Sequence, residues 1–190
     1  MLKLFYFDLE TTGTLFWKHG IHQISGMIEI DGVKKQTFDF KVRPNPVALI
    51  DDEALKIGNV SKEQIMAYPP MGEVYKQITD MLGKYVDKYD KKDKFFLVGY
   101  NSASFDNPFF RAFFKQNNDE YFGSWFWSSG LDVMILAANF FKHKRGVMEN
   151  FQLRTVARAL GIIVDETKLH DAQYDIMLTE QMFKILTKGK

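Results

Sequence analysis

The sequence contains no cysteine, which excludes disulfides, thiolate nucleophiles and cysteine-ligated metals. Nor does it carry an excess of one charge: 25 Lys and Arg stand against 24 Asp and Glu, a net charge of +1. Near-neutrality neither demands nor excludes a polyanionic partner, because a basic rim and an acidic centre cancel in the sum. Long apolar runs are missing as well, and no window approaches the roughly 18 apolar residues of a membrane span. The apolar stretch near the start is cut by Asp8 and Glu10 before it can act as a signal-peptide core. No membrane partner is expected, and a cytoplasmic location is. Internal repeats, low-complexity tracts and linkers are also absent.

Aromatic residues, by contrast, are abundant. With 18 Phe and 8 Tyr, both the core and any ligand groove should be rich in rings. Hydrophobic content of 46% and charged content of 26% are ordinary for a globular protein, and 190 residues suit one domain with a full core.

Leu4 to Leu9 reads as a strand entering that core, yet it carries Asp8 and is followed by Glu10 before breaking at Thr11-Thr12-Gly13. Side chains alternate along a strand, so Asp8 and Glu10 aim two carboxylates at one place. Buried carboxylates without partners are costly, so a cation is expected between them. The plainer alternative pairs one acid with a Lys or Arg and leaves the other in solvent. Ile21 to Ile30 and Val33 to Val42 read as two further strands joined by Asp31-Gly32, a hairpin signal, which predicts an antiparallel meander. Arg43 to Val60 is expected as a loop holding one short helical turn. Ser61 and Gln64 form a capping box, and Val74, Ile78, Met81, Leu82 and Tyr85 fall at helical spacing.

A short strand over Phe95 to Val98 leads to a helix on which Phe105, Phe109 and Phe113 stack, with Pro108 in its first turn. Trp125 to Leu131 reads as an irregular strand. Asp132 is expected to cap a helix to about Phe141, and Asn150 one bearing Leu153, Val156, Ala157 and Leu160 that Gly161 ends. Asp171 to Leu186 is the last helix. The expected fold is a single α/β domain, residues 1–190, on a mixed sheet flanked by helices.

Taken singly, the remaining polar residues have ordinary explanations. Asp106 suits a helix N-cap, Asp175 the favourable end of a helix dipole, and His170 an exposed loop. Together they are four carboxylates at strand ends and helix starts, with one His beside the last. Such a set cannot stabilise a core without cations. Oxygen ligands with room for water and phosphate suit Mg²⁺ or Mn²⁺, and two such ions about 3.5–4 Å apart can clamp both oxygens of a phosphodiester displacement. A His, with its ordinary pKa of about 6.5, suits the base that activates water.

Asp8-Leu9-Glu10-Thr11-Thr12-Gly13, Asn101 to Asp106, and His170 to Asp175 resemble the three exonuclease motifs of DnaQ-like 3′–5′ exonucleases, the DEDDh branch of the ribonuclease H-like superfamily. The resemblance runs nearly end to end, since Asn150 to Gly161 is similar to the helix before the third motif. It implies a ribonuclease H-like fold, with Asp8, Glu10, Asp106 and Asp175 as ligands of two divalent ions and His170 as general base. It implies removal of nucleoside 5′-monophosphates from the 3′ end of a nucleic acid. It also implies substrate contacts from Thr11, Thr12, Gly13, Leu15 or Phe16, Asn101 and Phe105. The first of these hold and splay the last two bases, although Phe16 and Trp17 equally suit the packing of a loop.

The chain departs from the family's pattern at Thr14, where an aliphatic residue is common. It departs again at Leu55 to Ser61, which lacks the usual His and Gly-Ile-Thr. These changes spare the metal ligands and leave the terminal-nucleotide contacts open. The expected substrate is a single-stranded 3′ end, DNA in preference to RNA. Alternatives are an RNA-directed exoribonuclease of the same family, a binding module without catalysis, and a proofreading subunit beside a DNA polymerase or repair complex. Lys142 to Arg145 could meet phosphates or be a solvated turn, and His19, His22 and His143 have no evident role.

Overall fold

A computed structural model describes residues 1–169 and 171–188. Its centre is a five-stranded sheet in the order β3-β2-β1-β4-β5. The strands are β1 (Lys3–Thr11), β2 (Ile21–Ile30), β3 (Val33–Lys41), β4 (Phe96–Gly99) and β5 (Leu131–Asp132). β1, β2 and β3 form the expected antiparallel meander, while β4 and β5 add in parallel. Asp31 and Gly32 turn the β2–β3 corner with φ of 49° and 79°, the paired positive values that a tight hairpin needs. Seven helices accompany the sheet among the described residues: α1 (Asp52–Ile57), α2 (Lys62–Met66), α3 (Met71–Leu82), α4 (Asp106–Gln116), α5 (Val133–Phe140), α6 (Leu153–Ala159) and α7 (Ala172–Thr187).

Because β1 is central, both of its faces are covered, and its alternation sorts side chains into two cores. Phe5, Phe7 and Leu9 join Val74, Ile78 and Leu82 of α3 and Phe109, Phe110 and Phe113 of α4. Leu4 and Tyr6 join Val133 of α5, Val156 of α6, and Ile176 and Met182 of α7. The abundant rings fill the first core: Phe5 lies 4.9 Å from Phe38 and 5.4 Å from Phe126 between centroids. Asp8 and Glu10 continue the row begun by Leu4 and Tyr6, so they stand on the α7 side of the sheet, half-buried.

Three expected boundaries shift. Trp125 to Leu131 is not a strand: a 3₁₀ turn at Phe122–Ser124 precedes one bridge from Phe126 to Phe95, and pairing resumes only at Leu131–Asp132. The intervening Ser128 and Ser129 are exposed and offer no apolar side chain to the sheet. The helix expected to follow Asn150 starts at Leu153. Asn150 Oδ1 instead accepts from Gln152 N–H at 3.0 Å and Thr155 Oγ1 at 2.7 Å, bracing the turn before it. The loop after β3 contains a helix capped by Asp51, α1, which is longer than one turn.

Candidate active site

β4 pairs with β1 only as far as Tyr6, so β1 runs on alone towards Thr11 on that side. Asp106 occupies this gap. Its Oδ1 accepts the Leu9 N–H at 3.1 Å, and the residue is 5% exposed. Asp106 is therefore the first residue of α4 rather than its cap, and its carboxylate serves the strand that carries the other two acids.

The loop before α4 brings Asp106 there. Gly99 ends β4, and a Cβ on it would meet Ser102 Cβ at 2.7 Å, so the chain folds back tightly at this point. Asn101 takes a left-handed φ of 58°, which Asn tolerates better than most residues. Its N–H and that of Ala103 donate to the two carboxylate oxygens of Asp132, at 3.1 and 2.9 Å. Asp132 also accepts from Met134 N–H at 2.9 Å, capping α5. The sequence marks Asp132 only as a helix cap. Its hold on the Asn101–Ala103 loop depends on β4 and β5 lying side by side, which no local pattern announces.

Asp175 lies in the first turns of α7, half-buried, on the helix that crosses β1 and β2. Beyond its apolar packing, two polar contacts tie that helix to β3 and β2. Near its start Gln173 Nε2 donates to Phe38 O at 2.8 Å, and towards its end Lys184 Nζ lies 2.9 Å from the buried Glu29 carboxylate. Asp175 and Asn101 also line a cavity of 510 Å³ with Tyr100, Met134, Phe151 and Arg154. His170, the expected base, lies outside the described residues.

Asp8, Glu10 and Asp106 each feel burial and a neighbouring carboxylate. Burial, followed by repulsion from Asp106, Glu10 and Asp175, pushes the Asp8 carboxyl well above its ordinary range. Glu10 rises to about 7 through burial and Asp175, against a modest opposing pull from Lys41. Asp106 also rises to about 7, chiefly through burial, with the Leu9 N–H pulling the other way and Glu10 and Asp132 adding repulsion. No set of three His, Cys, Asp or Glu side chains among the described residues is already arranged to hold an ion. The donors nevertheless fit one. They are carboxylate oxygens, they share one end of the sheet, and burial together with neighbouring carboxylates disfavours their charge, which a cation between them would offset.

The other expected contacts divide. Thr12 is fully buried, its Oγ1 donating to Leu49 O at 2.7 Å and accepting from Gly20 N–H at 2.9 Å, so its side chain belongs to the loop. Thr11 Oγ1 is likewise engaged, donating to Gly13 O at 2.7 Å. The His19 ring packs on Gly13, where a Cβ would meet it at 2.4 Å, and its Nδ1 accepts from Leu15 N–H at 3.0 Å. This gives His19 a structural place in the loop. Leu15 is half-buried, whereas Phe16 is 38% exposed and stands 6.4 Å from Phe109, whose ring lies 5.1 Å from Phe105. A ring cluster thus adjoins Asp106.

A family model described as Exonuclease matches residues 5–183. No curated protein matches the sequence. Among solved structures, E. coli Exonuclease I in complex with a dT13 oligonucleotide superposes with a TM-score of 0.78 at 19% identity, over 99% of this chain and 41% of that one. The zinc-bound form of the E. coli ExoI–ssDNA complex gives 0.78 at 20% identity, over 98% and 40%. A complex of SSB and Exonuclease I with an inhibitor gives 0.76 at 19%, over 98% and 41%. At these identities the likeness is one of fold, and the chain spans about two fifths of the length of each of these proteins.

Proposed function

The chain belongs to the exonuclease family, and on that premise we propose that residues 1–190 form a metal-dependent 3′–5′ exonuclease acting on single-stranded DNA ends. The observation that carries the reading is that burial, with carboxylate neighbours adding to it, raises Asp8, Glu10 and Asp106 together: Asp106, Glu10 and Asp175 act on Asp8, Asp175 on Glu10, and Glu10 on Asp106. A structural role for these acids would leave them paired with Lys or Arg. Among the described residues Lys41 alone opposes Glu10, and no cation acts on Asp8 or Asp106.

Asp8, Glu10, Asp106 and Asp175 would hold two divalent ions, Mg²⁺ or Mn²⁺. Such ions stabilise the attacking and leaving oxygens of a phosphodiester. The protein's own part is positioning. Leu9 N–H keeps the Asp106 carboxylate turned towards β1, and Asp132 keeps the preceding loop in shape. His170, just before α7, takes the proton of the attacking water. The backbone at Gly13 and the exposed Phe16 receive the terminal nucleotides, Phe16 acting as a wedge on the bases. The products are nucleoside 5′-monophosphates. A second reading keeps this chemistry and changes the substrate to RNA, because no described contact distinguishes a ribose from a deoxyribose.

The test is a 5′-labelled single-stranded DNA with Mn²⁺, wild type beside Asp106→Asn. A ladder shortening from the 3′ end, absent with the variant, is expected. Shortening of RNA but not DNA would move the assignment to an exoribonuclease. Turnover of neither would refute the function.

A further inference from the structure

One face of α4 is left unused by this chemistry. Asn107, Arg111 and Lys115 recur at i, i+4 spacing and so share that face. All three line a cavity of 710 Å³, together with Phe16, Ala103 and Trp127. The cavity lies beside the loop that carries Asp106: Asn107 follows Asp106 in the chain, and the Ala103 amide is the one held by Asp132. Its lining mixes cations with rings. The Arg111 guanidinium lies 4.5 Å from the Phe122 ring centre, and just outside the lining the Lys94 ammonium lies 5.4 Å from the ring centre of Trp127. Among the described residues Arg111 pairs with no carboxylate, and Lys115 approaches only the exposed Glu120, at 3.9 Å. Among the described residues Asn107 Oδ1 is buried without a hydrogen-bond partner.

We propose that this cavity is a track for the single strand on the 5′ side of the scissile bond, with Arg111 and Lys115 meeting successive phosphates. This rests on the proposed function. Residues four apart on a helix are separated by about 6 Å along its axis, a step comparable to that between phosphates of an extended strand. Ring faces beside cations are the means by which proteins hold single strands without reading sequence. The cationic stretch is short. From Asn107 to Lys115 is about 12 Å, room for roughly two nucleotide steps. Beyond it Asp119 and Glu120 turn the lining acidic, Asp119 already accepting from Tyr75 Oη and Tyr121 N–H at 2.6 Å each.

The test is binding, measured in EDTA so that turnover plays no part. The probes are a fluorescent oligothymidylate long enough to fill the cavity and a dinucleotide too short to do so. For the doubly substituted Arg111→Gln, Lys115→Gln protein the expected loss is confined to the longer probe. The slope of log Kd against log salt should fall by about 1.4, the contribution of two phosphate contacts to a single strand. A charge-keeping Arg111→Lys, Lys115→Arg protein should recover that slope. Unchanged affinity and slope in the Gln variant would overturn the track and assign the stripe to a partner other than nucleic acid. Equal impairment of both variants would overturn it too, since the loss would then come from altered packing. Absence of hydrolysis by wild type would refute the proposed function alone, because the binding slopes judge the track separately.

Discussion

Replacing Asp106 with Asn should silence the protein and, without metal, make it more stable. Asp106 is ionised in the unfolded chain above its ordinary value of 3.8 but in the fold only above about 7. A carboxyl raised in this way weakens the fold at high pH, and the penalty fades as pH falls through the folded value towards the unfolded one. By linkage, the charge costs about 4 kcal/mol at pH 8 and about 2 kcal/mol at pH 5. Asn has nearly the same shape, its Oδ1 can keep the Leu9 N–H bond, and its amide can donate to the neighbouring carboxylates. Burying that amide offsets part of the gain. Urea denaturation of both proteins in EDTA, at the two pH values, measures the difference. The variant should be the more stable at pH 8, with the gap roughly halved at pH 5. Millimolar Mg²⁺ or Mn²⁺ should then reverse the order, since wild type gains ligand stabilisation that the variant lacks. A variant less stable than wild type in EDTA at pH 8, or a gap indifferent to pH, would refute the picture of mutually repelling acids.

Other substitutions probe neighbouring parts of the argument. Asp132→Ala leaves the Asn101, Ala103 and Met134 amides without their acceptor and should cost about 3 kcal/mol in denaturation, with a fall in turnover because the Asp106 loop loosens. Unaltered turnover would show that the loop needs no such brace. His22 is buried, and burial plus Lys41 lowers its pKa to about 4, against a smaller opposing pull from a hydrogen bond with its own backbone. A base lowered in the fold weakens it as pH drops from about 6.5 towards 4, so at pH 5 it removes about 2 kcal/mol that is present at pH 8. His22→Leu should remove that acid sensitivity, and parallel stability–pH curves for the two proteins would contradict it. His170→Ala should keep metal-dependent oligonucleotide binding but reduce turnover by roughly 10²–10⁴. An undiminished rate would remove His170 from the mechanism.

Much of this was legible in the chain because it follows from local rules. The period-two alternation of Leu4 to Glu10, the Asp31-Gly32 turn, the Ser61 cap and the ring stripe of α4 all act over a few residues. The mistaken strand over Trp125 to Leu131 shows the limit. The exposed Ser128 and Ser129 give the segment nothing to bury, and only Leu131–Asp132 reaches β4.

The convergence of the acids is a property of the tertiary structure. Sequence alone put Asp8 and Glu10 on one side of a strand, because the alternation of side chains admits no other result. It could not say that β4 stops pairing at Tyr6, leaving the Leu9 N–H for Asp106 ninety-seven residues away. Nor could it say that Asp132 ties down Asn101 and Ala103, or that Gln173, bonded to Phe38 of β3, and Lys184, paired with Glu29 of β2, hold α7 against the sheet and so bring Asp175 in. Local pattern determines which face a residue occupies. Which faces meet is decided by the packing of strands and helices that are distant in the chain, and the elevated pKa values of Asp8, Glu10 and Asp106 exist only once they do.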